Sequence, residues 1–416
     1  MLDTGKPTEA VAAGQEAVRL IMAMGVALHR CGAAAHHIEG ALSALAAALM
    51  VRGQFFVTPT AIIGEMEQLD GERNLRLVRV RPQGIELDRL SSIDEIGDQI
   101  IRKEISISEA LRRIDELDSQ PKRPVMTMFQ MLSFILATAS FCAFLNGSLR
   151  ETIISGLLGV MVWLWLRWTQ PQAKMGEIAE PLAGFLMALV VSALTHVLVL
   201  RQEIVILSGL IVLIPGLSIT IALSELSTKN LMAGTARLTG AITELLKLSF
   251  AVALGSQLVP SRRMELDPTD FMDFQLIDHL PSIFLVMGAG LAFAGLFQVR
   301  RRDFSWVILA AIISYYSTKW GGLWLGASLG VFVGGICLKS FSNAYARLLR
   351  RPALTVLFPG LIIMVPGSFG FRAFNLMFAK DLNQSIALGF ELVIIAVALV
   401  AGLSLGQFLI HPRRNV

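Results

Sequence analysis

Long apolar runs separated by short polar stretches begin at Val125, whereas residues 1–124 carry many Arg, Glu and Asp side chains. A helix needs about twenty mostly apolar residues to cross the hydrocarbon core of a bilayer. By this measure the pattern predicts ten spans, five before a polar loop at 258–280 and five after it. They are approximately 126–146, 149–167, 181–200, 204–224, 231–257, 281–299, 304–319, 322–340, 354–371 and 384–410.

Two of these spans carry the same interruption. Pro215-Gly216 follows Gly209-Leu-Ile-Val-Leu-Ile, and Pro366-Gly367 follows Gly360-Leu-Ile-Ile-Met-Val, in a register that continues without a gap into the next span. Recurrence at a constant spacing indicates an internal repeat. Because each half has an odd number of predicted spans, the second copy must enter the membrane inverted. Interrupted helices in matching halves are typical of secondary transporters whose binding site lies at the repeat interface.

Composition agrees with a polytopic membrane protein. The chain is 54% hydrophobic and 16% charged, and its mean hydropathy of +0.63 excludes an ordinary soluble protein. The basic residues cluster beside spans, about twofold in favour of one side, which predicts cytoplasmic N- and C-termini and no role in nucleic-acid binding. No cleaved signal peptide is predicted. The three cysteines are far apart and indicate neither a disulfide framework nor a zinc site.

The polar N-terminal region predicts a small soluble α+β domain on the cytoplasmic side. Apolar side chains recur with helical spacing at Val18, Ile21 and Leu28, and again at Ile38, Leu42 and Leu45. Capping-box patterns at Ser92 and Ser106 predict the starts of two further helices. The segments with strand character are Gln54–Thr58, Ala61–Met66, Leu75–Val80 and Gly84–Leu87.

The predicted organisation has four parts. A soluble cytoplasmic α+β domain covers 1–124, a first five-helix membrane repeat 125–257, an external polar loop 258–280, and a second five-helix membrane repeat 281–416. The fold class is therefore a polytopic all-α membrane protein of about ten transmembrane helices in two inverted repeats, with a small N-terminal α+β domain.

The most suggestive cluster in the N-terminal region is His29, Cys31, His36, His37 and Glu39. Such groups can form a metal site or a Cys/His catalytic pair when they lie within ligand or hydrogen-bonding distance. Their spacing matches no standard motif, and adjacent histidines point to different sides of a helix. A structural role is therefore favoured over chemistry, and no metal or cofactor is predicted.

Three segments resemble the threonine/serine exporter family in its single-chain form, with both membrane halves fused. The run Leu28–Leu42 resembles the family's opening signature, in which a basic residue and an acid follow a Gly-Ala pair; His37 and Glu39 occupy those positions, although Arg is commoner at the first. Leu213–Leu217 and Phe358–Ser368 resemble its two membrane signatures.

This resemblance implies a bacterial inner-membrane exporter of small hydroxylated amino acids that is driven by the proton motive force. Some relatives are associated with dicarboxylate export, and the N-terminal domain of the family has been likened to hydrolases. Both associations leave alternatives open for this chain.

The two interruptions supply the candidate substrate-binding residues. A proline inside a span frees a backbone carbonyl, and glycine beside it permits unwinding, so that exposed backbone groups can bind the carboxylate and ammonium of an amino acid. Nearby hydroxyl and amide groups suit a hydroxylated zwitterion. The candidates are Pro215, Gly216, Ser218, Thr220 and Ser224 in the first copy, and Pro366, Gly367, Ser368 and Asn375 in the second.

Ionisable residues within spans are costly, which makes them functional candidates. Glu244 and Lys247 are spaced to pair with each other, and Arg237 lies one heptad before Glu244 on nearly the same face. Glu391 aligns with a position one turn from Glu244 in the repeat register. These residues are candidates for carrying a coupling proton, and a structural ion pair is an equal alternative.

The sequence therefore predicts a secondary active exporter of threonine or serine rather than an enzyme, with protons as coupling ions, lipids as surroundings and no cofactor. One alternative is a dicarboxylate exporter for succinate-like substrates. Another is a membrane-anchored hydrolase with its chemistry in the N-terminal domain, and a third is a channel or scaffold without coupling. Monomer and homo-oligomer both stay open.

Overall fold

A computed structural model describes residues 6–67, 71, 73–81, 84–119, 124–169, 175–176, 178–259 and 282–411. Residues 120–123 and almost all of the predicted loop at 258–280 lie outside these residues. The first part of the chain forms α1 (Lys6–Arg30), α2 (Ala35–Ala48), β1 (Arg52–Thr58), β2 (Ala61–Glu67), β3 (Arg73–Arg79), α3 (Leu87–Ile101) and α4 (Ile107–Ser119).

The three strands form an antiparallel sheet in the order β1-β2-β3. Three of the four predicted strands are thus confirmed, and the fourth, Gly84–Leu87, is wrong. Leu87 instead begins α3, and its N–H donates to the carbonyl of Phe297 at 2.9 Å, while the N–H of Asp88 donates to that of Gln298 at 3.0 Å. These donors are used by the turn that contains Phe297 and Gln298, and the chain continues there as a helix rather than a strand.

The sheet packs against α1 and α2, whose apolar stripes meet in one core. Ile21, Ile38, Leu42 and Ile62 are all fully buried there. Apolar residues recur every three or four positions along α1 and α2, and this spacing produces the buried face of each helix, as the sequence pattern predicts. Burial of such side chains is the main favourable term in the folding of this part of the chain.

The two predicted helix starts have different outcomes. Ser106 caps α4, because its hydroxyl accepts from the N–H of Glu109 at 3.2 Å. The prediction at Ser92 is wrong: Ser92 lies inside α3 and its hydroxyl donates to the carbonyl of Asp88 at 3.1 Å. The helix begins earlier, at Leu87, where the N–H groups of Leu87 and Asp88 donate to the carbonyls of Phe297 and Gln298.

The remainder of the described chain is helical. The first set is α5 (Pro124–Phe144), α6 (Leu149–Thr169), α7 (Ala179–Leu194), α8 (Gln202–Gly209), α9 (Gly216–Ser227) and α10 (Leu231–Leu258). The second set is α11 (Ser282–Leu296), α12 (Phe304–Leu325), α13 (Ala327–Leu349), α14 (Leu354–Ile362), α15 (Gly367–Phe378) and α16 (Leu382–Leu409). Among the residues that the structure describes, the helical segments long and apolar enough to cross a membrane are Thr127–Phe144, Leu149–Thr169, Leu231–Leu258, Leu354–Phe378 and Leu382–Leu409.

Several predicted spans differ from the helices observed: 181–200 ends at Leu194, and 322–340 is the helix Ala327–Leu349. The predicted spans 204–224 and 354–371 are each two helices separated at a Pro-Gly, at Pro215 and at Pro366. The seventh span, predicted as 304–319, continues to Leu325. Its end is set by Gly326 at φ +86°, a conformation that favours glycine, rather than by the glycines at 321 and 322.

The two longest helices of the membrane part pack in corresponding ways. Helix α10 lies against α7 and α9, and α16 lies against α13 and α15. A Cβ built on Gly255 of α10 would lie 2.7 Å from the carbonyl oxygen of Phe185. The equivalent atom on Gly406 of α16 would lie 2.7 Å from that of Ile336. Glycine is therefore needed at both contacts, because each helix approaches a neighbouring backbone too closely for a side chain.

Candidate functional site

The two Pro-Gly interruptions meet in space. Pro215 and Pro366 immediately precede α9 and α15, which begin at Gly216 and Gly367. A Cβ built on Gly216 would lie 3.1 Å from the Gly367 α-carbon, and one built on Gly367 would lie 2.7 Å from the Gly216 α-carbon. The two backbones are thus in direct contact, at a point that no other residue type fits. We call this contact the glycine junction.

The glycine junction brings two helix N-termini to one place. First-turn N–H groups lack partners within their own helix, and the helix dipole adds partial positive charge at that end. The N–H of Gly216 is already used, since it donates to the carbonyl of Ile214 at 2.8 Å. Two positive helix ends beside each other favour an anionic group such as a carboxylate.

The candidate substrate residues divide into two groups around this point. Ser218 and Ser368 are half-buried in the first turns of α9 and α15, next to the junction. Thr220 is buried and its hydroxyl donates to the carbonyl of Gly216 at 3.3 Å. Ser224 and Asn375 lie two helical turns further on, about 12 Å along their helices at 1.5 Å per residue. The fold does not bring these last two residues to the junction.

A second polar arrangement lies where the N-terminal region contacts the α9–α10 hairpin. The carboxylate of Glu225, which is 0% exposed, accepts from Arg237 Nε at 3.0 Å and from Arg237 Nη2 at 3.1 Å. One of its oxygens also accepts from the N–H of Ala35, at 3.0 Å, where α2 begins. A bidentate guanidinium and a helix N-terminus together stabilise this buried negative charge.

Two histidines flank this ion pair. Burial lowers the pKa of both His29 and His36, and Glu225 and Arg237 both act electrostatically on each ring. Within the described part of the chain, the Nδ1 atoms of His29 and His36 are buried without a hydrogen-bond partner. The rings are therefore neutral near pH 7, with unused hydrogen-bonding capacity.

The surroundings of Cys31, Glu39 and His37 indicate structural rather than chemical roles. Burial raises the pKa of the Cys31 thiol to about 12, and a protonated thiol is a poor nucleophile. Glu39 accepts from the N–H of Val57 at 2.8 Å and so joins α2 to β1. The ring of His37 lies 4.2 Å from that of His36, centroid to centroid. Among the residues that the structure describes, no group of three or more His, Cys, Asp and Glu side chains is arranged to hold a metal ion.

The ionisable candidates of the spans occupy three different surroundings. Arg237 pairs with Glu225 rather than with Glu244. Glu244 and Lys247 lie on an exposed groove of α10. Glu391 is half-buried on α16 and accepts from the hydroxyl of Ser328, on α13, at 3.1 Å. The two glutamates thus face different surroundings.

Sequence reasoning missed Glu225 because the predicted span ended one residue before it. A signal was present: opposite charges at Glu225 and Arg237 flank the short connection of an αα-hairpin, which brings them together. A second buried ion pair was also missed. Glu151, 1% exposed, accepts from Arg201 Nη2 at 2.6 Å and from the backbone N–H groups of Arg201 at 2.7 Å and Ser148 at 2.8 Å.

Long apolar helices, two of them interrupted at Pro-Gly, are typical of membrane transporters. Residues 19–259 match the threonine/serine exporter family ThrE, and residues 282–409 match a second model described as Threonine/Serine exporter, ThrE. The chain belongs to the threonine/serine exporter family, which is a family of membrane transporters. The resemblance found in the sequence is thereby confirmed.

The chain is also similar to fungal membrane proteins. It is 21% identical to pheromone-regulated membrane protein 10 of Eremothecium gossypii, over 95% of this chain and 56% of that protein. It is 23% identical to the protein of that name in Debaryomyces hansenii, over 95% of this chain and 42% of the relative. An uncharacterized protein of Schizosaccharomyces pombe is 23% identical over 95% of this chain and 55% of its own length.

These relatives correct one prediction. A bacterial inner membrane is wrong as the location, because the relatives are fungal proteins, and the membrane character of the chain is retained. The chain spans about half the length of the curated relatives it matches, between 52% and 56% for the first three. No solved structure matches the chain.

Proposed function

We propose that this chain is a secondary active exporter of small amino acids such as threonine and serine. Transport would proceed by alternating access around the glycine junction, coupled to the proton motive force. The observation that carries the proposal is the contact between Gly216 and Gly367, which joins the two interrupted helices at one point. Interrupted helices at a repeat interface are where secondary transporters bind their substrates.

The proposal includes two inverted five-helix repeats with ten spans, in which α8–α9 and α14–α15 each count as one interrupted span. The first repeat would cover 125–257 and the second 281–416, with residues 1–124 as a soluble domain on one side of the membrane. Its support is the correspondence of packing: Gly255 and Gly406 make the same close approach, each to a carbonyl of a neighbouring helix.

The chemistry of the junction supports a carboxylate-bearing substrate. Two helix N-termini offer N–H groups and partial positive charge, and the hydroxyls of Ser218 and Ser368 lie in the first turns beside them. A small hydroxylated amino acid matches both features. Glu244 and Glu391 are the proposed carriers of the coupling proton, because a carboxyl group in a span can be transiently neutral.

A dicarboxylate exporter is the second candidate. Each of the two positive helix ends at the junction can bind one carboxylate, and a succinate-like substrate carries two. For the hydrolase alternative, the protonated Cys31 thiol offers no nucleophile.

Counterflow in proteoliposomes tests the proposal. The purified chain is reconstituted with internal unlabelled threonine, serine or succinate, and uptake of the labelled compound is followed with and without a pH gradient. Accumulation of threonine or serine that depends on the gradient is expected. Accumulation of succinate alone would establish the second candidate, and no accumulation of any of the three would refute both.

A further inference from the structure

Helix α10 carries a polar face on the outside of the membrane part. Thr235, Thr239 and Thr243 recur every four residues along it and are all exposed. With other residues of α10 they line a groove of about 580 Å³. The helix is nevertheless long and apolar enough to cross a membrane. We call this surface the threonine face, and it comprises Thr235, Thr239, Gly240, Thr243, Glu244 and Lys247.

The corresponding helix of the second half carries an apolar face in the same place. The sequence register that aligns Pro215 with Pro366 also aligns each of the three threonines with a large apolar residue of α16. These residues are Ile386, Phe390 and Ile394, which are 57%, 69% and 48% exposed. Exposed apolar side chains of this kind suit contact with lipid. The threonine face has small and polar groups instead, which suit contact with another helix.

Gly240 is not explained by packing inside the chain. A Cβ built on it would meet nothing within 4 Å, whereas one built on Gly234, in the same helix, would lie 2.9 Å from the carbonyl oxygen of Ala222. A glycine inside a helix costs about 1 kcal/mol relative to alanine. With Ala236 four residues earlier, Gly240 forms the spacing of small residues that lets two membrane helices approach closely.

Glu244 and Lys247 place opposite charges on the same face, near the middle of the 28-residue helix. Both are exposed, and among the residues that the structure describes neither has an ion-pair partner within 4 Å. Charged side chains within spans almost always face protein or a water-filled cavity and pair with one another. An exposed acid and an exposed base at i and i+3 are self-complementary, because the acid of one copy can pair with the base of another.

We propose that the threonine face is the contact between two copies of this chain in the membrane. The occupant is a second copy because the face itself supplies both members of the ion pair, and two copies together neutralise each other's charges. The inference goes beyond the proposed function and does not depend on it.

Symmetry determines which residues meet. Two copies inserted in the same direction are related by a two-fold axis along the membrane normal, so their α10 helices cross in parallel, with Gly240 near the crossing point. A pair of positions is used twice in such a contact, and Glu244 of each copy pairs with Lys247 of the partner subunit. Thr239 and Thr243 then lie close to the axis.

Cross-linking of single cysteines locates the contact in the membrane. The full chain is reconstituted in phosphatidylcholine vesicles, and a short bifunctional maleimide is added to Thr239→Cys or to Phe390→Cys. The two positions are exposed and aligned in the repeat register, so Phe390→Cys is the matched control. We expect a covalent dimer from Thr239→Cys, and from Phe390→Cys no more than from wild type with its own three cysteines. Equal yields from the two variants would overturn the proposal.

The strength of association is measured by single-molecule photobleaching of the labelled chain at increasing dilution in lipid. Wild type should be dimeric, and Gly240→Ile should raise the Kd of the dimer by about tenfold or more, because its side chain overpacks the crossing point. Gly389→Ile is the control, since a Cβ at Gly389 also meets nothing within 4 Å. A monomeric wild type at every dilution, or equal effects of the two variants, would overturn the proposal.

Charge exchange tests the ion pair itself. Glu244→Lys and Lys247→Glu each place like charges opposite one another at a symmetric contact, and each should weaken self-association by about tenfold or more. A mixture of the two variants, labelled with different dyes, should associate as wild type does, because opposite charges again face each other. Unchanged self-association of both variants, or a mixture that does not associate, would refute the contact.

These outcomes are separate from the proposed function, because association is measured without substrate. If wild type is monomeric and carries out counterflow, the exporter stands and the contact is refuted. A face covered by lipid or by another protein would give this monomeric result. Association restored in the mixture supports the contact, whether or not counterflow is observed.

Discussion

The α-carbons of Gly216 and Gly367 are in van der Waals contact, so that a Cβ on Gly367 would lie 2.7 Å from the Gly216 α-carbon. These two residues are 151 positions apart in the chain, and each begins a helix directly after a proline. Their contact fixes how the two interrupted helices approach each other. Any side chain at either position must push the two backbones apart.

Gly216→Ala and Gly367→Ala are therefore expected to reduce counterflow by about tenfold or more, with an overpacking cost of about 1–3 kcal/mol. Gly389→Ala is the control, because a Cβ there meets nothing within 4 Å. Initial rates in proteoliposomes, normalised to reconstituted protein, measure the effect. A wild-type rate for Gly216→Ala would contradict a role of the junction in transport.

Glu39→Ala is expected to destabilise the N-terminal region. It removes the acceptor of the Val57 N–H, which lies 2.8 Å from the carboxylate, on a residue only 2% exposed. A buried donor left unpaired costs about 1–3 kcal/mol. Glu39→Gln keeps a carbonyl acceptor and should cost less. Thermal unfolding of the two variants measures the difference, and equal losses would argue against this bond as the role of Glu39.

Stability is expected to fall on acidification through His29. Burial lowers the pKa of His29 below its ordinary value of 6.5. Below that pH the unfolded chain binds a proton that the folded chain resists, so the contribution to stability is present above pH 6.5 and is lost as the pH falls. The unfolding midpoint should drop between pH 7.5 and 5.5, and less so in His29→Gln. The exposed His411, changed to Gln, should leave the drop as in wild type.

Arg300→Ala is expected to loosen α3 from the turn that follows α11. Its guanidinium donates to Asp88 at 2.5 Å, to the hydroxyl of Ser92 at 2.6 Å and to Glu95 at 3.4 Å. Because the acidic partners are exposed, the loss should be about 1 kcal/mol of local opening free energy, or about fivefold faster exchange. Hydrogen exchange at the amides of Leu87 and Asp88 reports it. Arg301→Ala, at an exposed neighbouring position, is the control.

Much of the helical pattern could be read from the sequence. Helices require apolar runs of sufficient length or apolar residues at helical spacing, and both are visible without a partner, as at α10 and at Ile38 and Leu42 of α2. The interruptions at Pro215 and Pro366 were equally visible, because proline removes a backbone hydrogen bond from a helix. Proline alone does not decide the break, since Pro359 lies inside α14 without ending it. The end of α12 at Gly326 was harder to predict, because other glycines lie near it and any of them could end a helix.

The segment Gly84–Leu87 shows where local reasoning fails. Its composition suits a strand, but Leu87 and Asp88 donate their backbone N–H groups to the carbonyls of Phe297 and Gln298. A partner more than two hundred positions away decides the local structure, and no local pattern can reveal it. The ion pair between Arg237 and Glu225 was not predicted, because Glu225 lies just beyond the end of a predicted span.

The sequence by itself determined the membrane character, the interrupted helices and the family, because hydropathy, Pro-Gly breaks and short motifs are properties of consecutive residues. Only the tertiary structure decided that Gly216 touches Gly367. It alone also decided that the Glu225 carboxylate accepts hydrogen bonds from Arg237 and from the N-terminus of α2. Contacts between distant segments depend on the packing of whole helices. A site composed of such contacts becomes visible only when the chain is folded.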